Sequence, residues 1–595
     1  RSSSWDGDGR SKLKSAPRGL ATARHFDKLT ASAGHPLLEA AERSVTELAE
    51  QAVGSPEIEY DRSRHNALLV RARRMQARVI TLLVQWRRTG QTKYREAAVE
   101  HLREMGRWEY WSWIALRRGE QGPLAEFDLS YGENCATLAL AFDWLGETMS
   151  EEQRELLIAL AERWGIAPFL HRTEGEHLPF WYRRAGNTWN TVCTGGAGML
   201  ALAMYEHLDG ADVVLERVES SFEPYMHHLD ACGGGWEEGV GYWNYGMRYA
   251  YMYLLSWSRA HGERHPLLEL EGASRTLEFP LDLTPNGVAC GFGDVNRFRP
   301  LAFHYAAAEE FGREDLYPRL DALLGGRILA DAQPRPGLFL SVRGGTTEVN
   351  HSHLDLFSIN CVVGDEAMLA NVGVGEYLDT TFSRRRYDLW ETRPDSKKTL
   401  WIDGVGIVPR RAVRMARIDS PSARGVRLEG AGAFGEMRDG PVAEACARAV
   451  LLIDESHALI VDYLRARFFG RYEARFHTPH EPAIEAEGTL LRGRRQMLSM
   501  RFAASVPATA HRAVEPVTTP TGDPSHMVRW CTDDLAHDCW FATLLSRRRA
   551  STVSVTSPAE GRGRVCLDHG SASLVLEFDE SLALVGETRP SGSRA

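Results

Sequence analysis

Val349-Asn350-His351-Ser352-His353-Leu354-Asp355-Leu356-Phe357-Ser358-Ile359-Asn360 lies just past the point where the chain changes grammar. Before it, apolar residues recur at helical spacing. After it they come in short runs separated by turn residues, the signature of antiparallel strands. Read as a strand, with a period of two, the stretch puts His351, His353 and Asp355 on one face. Three ionisable groups on one face are costly unless solvated, paired or bound to something. The plain reading is a polar edge; the functional one is a ligand or catalytic strand.

At 595 residues the chain exceeds one ordinary core, so two or more domains are expected. Hydrophobic content of 43% and charged content of 25% are those of a globular protein. A formal net charge of −10 argues against a nucleic-acid partner, yet a locally basic pocket for an anionic substrate is compatible with it. Lysine is rare, with only Lys12, Lys14, Lys28, Lys93, Lys397 and Lys398, so the adjacent last pair stands out. Nine scattered cysteines without CxxC spacing indicate neither a disulfide framework nor a zinc ribbon. No apolar run approaches the ~18 residues of a membrane span, so no membrane partner is expected. The sequence begins at Arg1 without a signal-like apolar run, and periplasmic, secreted and cytoplasmic locations stay open.

Residues 1–24, rich in Ser, Gly, Arg and Lys, read as a disordered tail. From there to 333 the pattern is helical, with helices predicted over Tyr94–Trp113, Asn134–Leu145, Glu151–Trp164, Trp189–His207, Val213–Leu229, Tyr242–His261 and Phe303–Phe311. Successive helical hairpins that each bury one face fit a curved array or toroid. Pro334 and Pro336 mark a break, and residues 334–590 read as an antiparallel β-sandwich. Predicted strands include Leu338–Val342, Leu356–Val363, Leu400–Ile402, Tyr472–His477 and a hairpin over Val450–Tyr463 that turns at Asp454–His457. Residues from Arg589 on read as a disordered end.

Three loops carry candidate chemistry. Gly186-Asn187-Thr188-Trp189-Asn190-Thr191-Val192-Cys193 precedes a small-residue helix, and either Asn is a cap or an anion contact. Gly233-Gly234-Gly235-Trp236-Glu237-Glu238-Gly239-Val240-Gly241-Tyr242 delivers a tyrosine at a helix start. Beside cationic groups a tyrosine can serve as a base. Gly291-Phe292-Gly293-Asp294-Val295-Asn296-Arg297 offers a capping aspartate and an arginine for an anion.

Taken together, these stretches resemble the heparinase II/III-like superfamily of polysaccharide lyases. The resemblance rests on Asn187-x-Trp189-Asn190-x-Val192-Cys193, the glycine-rich run into Glu238-Gly239-x-Gly241-Tyr242-Trp243, and His351-x-His353-x-Asp355. Ala141-Phe142-Asp143-Trp144-Leu145 and Tyr472-Glu473-Ala474-Arg475-Phe476-His477 extend it over roughly residues 90–480. It implies an N-terminal (α/α) incomplete toroid followed by a C-terminal antiparallel β-sandwich, and β-elimination at a uronic acid of an anionic polysaccharide or oligosaccharide. By resemblance Tyr242 is the base, the acid or both, and Asn187 or Asn190 binds the carboxylate. His351 then helps neutralise it, and Tyr245 is the fallback tyrosine. Trp189, Glu238, Tyr245, Arg248, Arg297 and Lys397 are the expected substrate contacts. A homodimer is an allowed assembly.

Metal-containing members build a sandwich site from the second His of HxH, an Asp about eighteen residues on and a later His. Here His353 is kept, but Asn371 and Lys397 stand at the other two places. Neither replaces those ligands well, since an amide is weak and an ammonium is no ligand. No cofactor is therefore expected to be required, zinc at His353 is disfavoured, and Lys397 is expected to supply the positive charge instead. Two other readings are a glycoside hydrolase using Glu237, Glu238 or Asp294, and a non-catalytic glycan-binding protein.

Overall fold

The helices start and stop where side chains can satisfy the free backbone groups at their ends. Ser150 and Gln153 form a reciprocal capping box that opens Glu151–Leu160, while Gly90, at φ 71°, closes Ala67–Thr89. This computed structural model describes residues 13, 14, 18, 19, 25, 26, 34–325, 336–374, 377, 378, 380–437, 440–515, 525–547, 551–569 and 572–589. The chain divides into two compact units. The first holds Arg1–Trp236, Tyr242–Leu281 and Arg299–Asp331, and the second holds Glu237–Gly241, Asp282–Phe298 and Ala332–Ala595. Two inner stretches of the predicted helical half, 237–241 and 282–298, thus go with the β-rich unit.

The first unit is the helical array expected from the spacing. Its main helices are Pro36–Ala52, Ala67–Thr89, Thr92–Gly106, Leu129–Leu145, Thr188–Ala203, Ala211–Ala231, Val240–His261 and Ala302–Glu310. The predicted helix Tyr94–Trp113 instead ends at Gly106, and Ser112 caps a new short helix, Trp113–Arg118, through bonds from the N–H groups of Ile114 and Ala115. Glu151–Trp164 passes from α- to π-helix at Ala161. Leu129–Leu145 is buried along its whole length. It meets Thr188–Ala203 so closely that a Cβ on Gly132 would lie 2.1 Å from the Val192 carbonyl, and one on Gly196 2.1 Å from the Gly132 carbonyl. The small residues after Cys193 therefore serve helix contact. No helix among the described residues is long and apolar enough to cross a membrane.

Most of the predicted tail, and residues 590–595 at the other end, lie outside the described residues. Arg18 and Gly19 are described and packed. The Arg18 N–H donates to Asp143 at 3.0 Å, and its guanidinium bonds the Leu202 carbonyl at 3.2 Å and pairs with Glu206.

In the second unit a nine-stranded antiparallel sheet runs in the order Ala483–Glu485, Gly488–Arg492, Met497–Ala504, Ala536–Ser546, His457–Gly470, Ala443–Leu452, Arg424–Glu429, Ala412–Asp419, Gly345–Thr346. The predicted hairpin forms its centre, with Val450 opposite Ile460 and Leu452 opposite Ala458. Alternate residues go to opposite cores. Val450, Ile460 and Phe541 join one cluster; Leu451, Leu459 and Trp540 join the other. Burial on both faces explains why these strands read as unbroken apolar runs. One core is shared with the strands Leu338–Val342, Ile359–Val363, Leu400–Ile402 and Tyr472–Thr478, the other with the sheet of Ser551–Ala559, Arg562–His569, Ala572–Asp579 and Leu584–Thr588.

The opening stretch departs from expectation. Residues 349–358 are turn and bend, and the strand starts only at Ile359. His351 and Phe357 have φ of 62° and 68°, left-handed values that break the two-residue alternation. His351 and His353 are thus brought together by a folded loop and by the carboxylate they share.

Candidate active site

In the second unit the loops 291–297, 351–355 and 371–374 converge on Asp294. The Asp294 N–H donates to the His351 carbonyl at 3.2 Å, and the Asp294 carbonyl accepts from the Val374 N–H at 3.2 Å. Gly293, at φ 82°, makes that turn, and the Asn371 amide donates to its carbonyl at 3.2 Å. The buried carboxylate then takes three cationic or polar partners. His351 Nδ1 lies 3.0 Å from Oδ2, His353 Nε2 2.9 Å from Oδ1, and Arg386 Nη2 2.5 Å from Oδ1. Burial alone would raise the Asp294 pKa. Hydrogen bonds from the two histidines, with the charge of Arg386, reverse this and hold it far below the usual carboxylate range.

Burial, helped by the nearby Lys397 charge, pushes the His353 pKa down to about 4, so this imidazole is neutral at pH 7. Its Nε2–H then donates to Asp294, and its Nδ1 finds no partner among the described residues. His351 donates from Nδ1 to the same carboxylate, which fixes the orientation of its ring. Asp355 belongs to a different pair, 3.4 Å from Arg343 Nε.

Lys397 is fully buried, unlike an ordinary substrate contact. Its Nζ donates to Asn371 Oδ1 at 3.2 Å and to the Val372 carbonyl at 3.0 Å, while Lys398 Nζ donates to the Ala370 carbonyl at 2.6 Å. Burial lowers the Lys397 pKa to about 8. These residues do not fit the metal site implied by the resemblance. His353 spends Nε2 on Asp294, and where ligands are needed the side chains form an ammonium–amide pair.

In the first unit Asn187 and Tyr242 stand at or near the starts of two helices. Asn187 Oδ1 accepts from the Trp189 N–H at 2.9 Å as an N-cap, and its Nδ2 has no partner among the described residues. Thr188 Oγ1 donates to the Tyr242 carbonyl at 3.3 Å, which ties the two starts together. The two asparagines differ in their bonding. Asn190 Nδ2 donates to the carbonyls of Arg184 and Ser221 at 3.0 and 2.9 Å, and its Oδ1 accepts from Ser221 Oγ at 3.1 Å. Asn190 is a structural cross-link with nothing left to offer a ligand. Trp189 is half-buried, 5.5 Å from the Trp113 ring and 5.1 Å from Phe180, itself 52% exposed.

Tyr245 is unsuited to be the base. Its hydroxyl donates to Glu133 Oε1 at 2.5 Å, and burial followed by the Glu133 charge raises its pKa well above that of a free tyrosine. Glu238 is buried in the second unit, where the adjoining Gly239, at φ 91°, passes close to the Phe292 carbonyl. Arg297 is exposed and does not join the Asp294 cluster. Arg248 bonds Gln76 Oε1.

Arg386 and Glu133 were not singled out from the sequence. Arg386 sits in the run Arg384-Arg385-Arg386, which looks like a solvated patch, whereas Glu133 is one of only two charges in an otherwise apolar helix, Leu129–Leu145. That isolation was a usable signal.

No protein-family model matches the chain, and no curated protein matches it. Solved structures do. A mutant of the heparan sulfate lyase HepC from Pedobacter heparinus superposes with a TM-score of 0.61 at 11% identity, covering 90% of this chain and 89% of that one. A heparinase III structure gives a TM-score of 0.60 at 13% identity, covering 88% of this chain and 85% of that one. A second heparinase III gives 0.58 at 11% identity, covering 90% of each chain. The chain therefore has the heparinase III fold, a helical toroid followed by an antiparallel β-sandwich, as the resemblance implied.

Proposed function

We propose that this chain is a polysaccharide lyase that cleaves a uronic-acid-containing polysaccharide by β-elimination. The observation that carries the reading is the pair of helix starts joined by Thr188. They present Tyr242, together with an Asn187 amide that has hydrogens to donate. The fold shared with HepC supports it, since that protein is a heparan sulfate lyase by name.

The C5 proton of a uronate is poorly acidic while the adjacent carboxylate keeps its full charge. Donors that hydrogen-bond the carboxylate stabilise the enolate-like species formed as the proton leaves. In this reading Asn187 Nδ2 is one such donor. Tyr242 takes the C5 proton. The C4–O4 bond breaks as the C4=C5 double bond forms, and a proton passes from the tyrosine to the departing O4. Trp189 offers a ring face to a sugar.

A hydrolase reading is less well supported. A hydrolytic acid needs a raised pKa, and Asp294 is held ionised by two histidines and Arg386.

The test is incubation with alginate, heparin-type chains, hyaluronan and bacterial exopolysaccharides while following the absorbance of unsaturated uronate. Turnover of at least one is expected, and Tyr242→Phe should lower it about 100-fold or more. Products without a double bond, or a Tyr242→Phe variant with full activity, overturn the assignment.

A further inference from the structure

Glu133 is a fully buried carboxylate in the helical unit, and only one of its oxygens is matched. Oε1 accepts from Arg73 Nε at 2.8 Å and from the Tyr245 hydroxyl at 2.5 Å, while Oε2 has no partner among the described residues. Burying a carboxyl group with one oxygen unmatched costs stability, so a fold selected for stability alone does not call for it. Its effect falls on Arg73. That side chain is held at Nε, its guanidinium lies 4.6 Å from the centre of the Tyr245 ring, and it remains 46% exposed. No carboxylate or carbonyl accepts from its two terminal nitrogens among the described residues.

One turn on, the pattern recurs. Buried Gln76 donates through Nε2 to the Glu133 carbonyl at 3.0 Å, and its Oε1 accepts from Arg248. Arg248 is half-exposed and lines a cavity of about 1080 Å³ together with Trp144, Met252, Arg259 and Tyr305. Two arginines from two helices are therefore fixed by one buried polar platform. A guanidinium held from one side by such a platform and still exposed on the other is already arranged for an oxyanion, and little of its freedom remains to be lost on binding.

We propose that Arg73 and Arg248, seated on Glu133 and Gln76, form an anion subsite that reads a carboxylate or sulfate on a sugar other than the one being cleaved. Tyr245 is the positioning residue that keeps Arg73 flat. The inference rests on the polysaccharide-lyase reading for the identity of its ligand, and it adds the requirement for a second negative charge along the chain.

The test compares wild type with Arg73→Gln, Arg73→Lys and Arg248→Gln in steady-state kinetics on the best polysaccharide of the panel. In parallel, calorimetry measures binding of two probes, an oligouronate bearing only carboxylates and a sulfated oligosaccharide. Thermal melting checks that each variant is folded; Arg73 is exposed enough for its exchange to be tolerated. Arg73→Gln and Arg248→Gln should each raise KM about 10- to 100-fold, with kcat changing less than about threefold. Arg73→Lys should recover part of the loss, and raising salt to roughly 0.5 M should narrow the gap. The probe whose affinity falls with Arg73→Gln identifies the anion. Unchanged KM and affinity in both glutamine variants overturn the subsite while leaving the lyase reading intact. Arginine-dependent binding without any turnover keeps the subsite and overturns the lyase. If wild type binds neither probe, the subsite falls.

Discussion

Two buried carboxylates, one in each unit, are handled in opposite ways. Asp294 in the β-rich unit is matched on both oxygens by His351, His353 and Arg386. Glu133 in the helical unit is matched on one oxygen, and its cation reaches the surface. Closed pairing makes a clamp, in which both carboxylate oxygens hold their partners in place. Open pairing makes a presentation device, in which the carboxylate fixes a cation that still has donors to spend. The comparison teaches that burial by itself does not mark a functional charge; the unspent valence of its partners does.

The strongest way to break this contrast is Asp294→Ala. It leaves Arg386 and two histidines facing an emptied pocket, and should cost about 3–5 kcal/mol of stability in urea unfolding. A loss below about 1 kcal/mol would mean that Asp294 is no clamp.

Glu133→Gln is the matching change in the other unit. Arg73 can turn to solvent, so the loss should be smaller, about 1–2 kcal/mol. Tyr245 should ionise at a lower pH once the neighbouring charge is gone, which ultraviolet titration reads directly. An unmoved tyrosine would separate the two residues.

Acid titration sharpens the comparison further. Burial depresses His353 in the β-rich unit to about 4 and His304 in the helical unit to about 3. Their unfolded pKa is near 6.5, so below that value the unfolded chain binds the extra protons first. Stability should therefore fall as pH drops from about 6.5 toward 4, by about 1.4 kcal/mol per pH unit for each histidine. Depressed Asp294 adds its loss only further down, below about pH 4, where the unfolded carboxylate takes up its proton. Removing His304 by His304→Gln should lessen the slope by one proton, as followed by chemical denaturation across pH.

The smallest expected effect is that of chelation. Lys397 and Asn371 occupy the places of metal ligands and bond each other. Dialysis against EDTA should leave activity and Tm unchanged, and elemental analysis should find less than stoichiometric zinc. Stoichiometric zinc whose removal lowers Tm would restore the metal reading.

Legibility in the sequence followed the range of the interaction. Helical spacing up to about residue 325 and the apolar hairpin Val450–Tyr463 report on neighbours within a few positions, and both matched the structure. The Asn187 cap was read from its own loop. Asn190 was not separable from it, because its partner Ser221 lies 31 residues away. Likewise, Tyr245 resembled a usable base until Glu133, 112 residues distant in the chain, was seen beside it.

The stretch at His351 shows the division most clearly. Its alternating polar residues state that something must pair with them, and that much the sequence by itself determined, along with the fold class and the helix-to-strand change beyond it. A regular strand was the simplest local solution. The tertiary structure chose a turn, with His351 in the left-handed region, since a single carboxylate 57 residues away had to be reached by both imidazoles. Local periodicity follows from backbone geometry that every residue shares. The pairing of buried charges depends on which distant segments share one small volume, and that is decided only when the chain has packed.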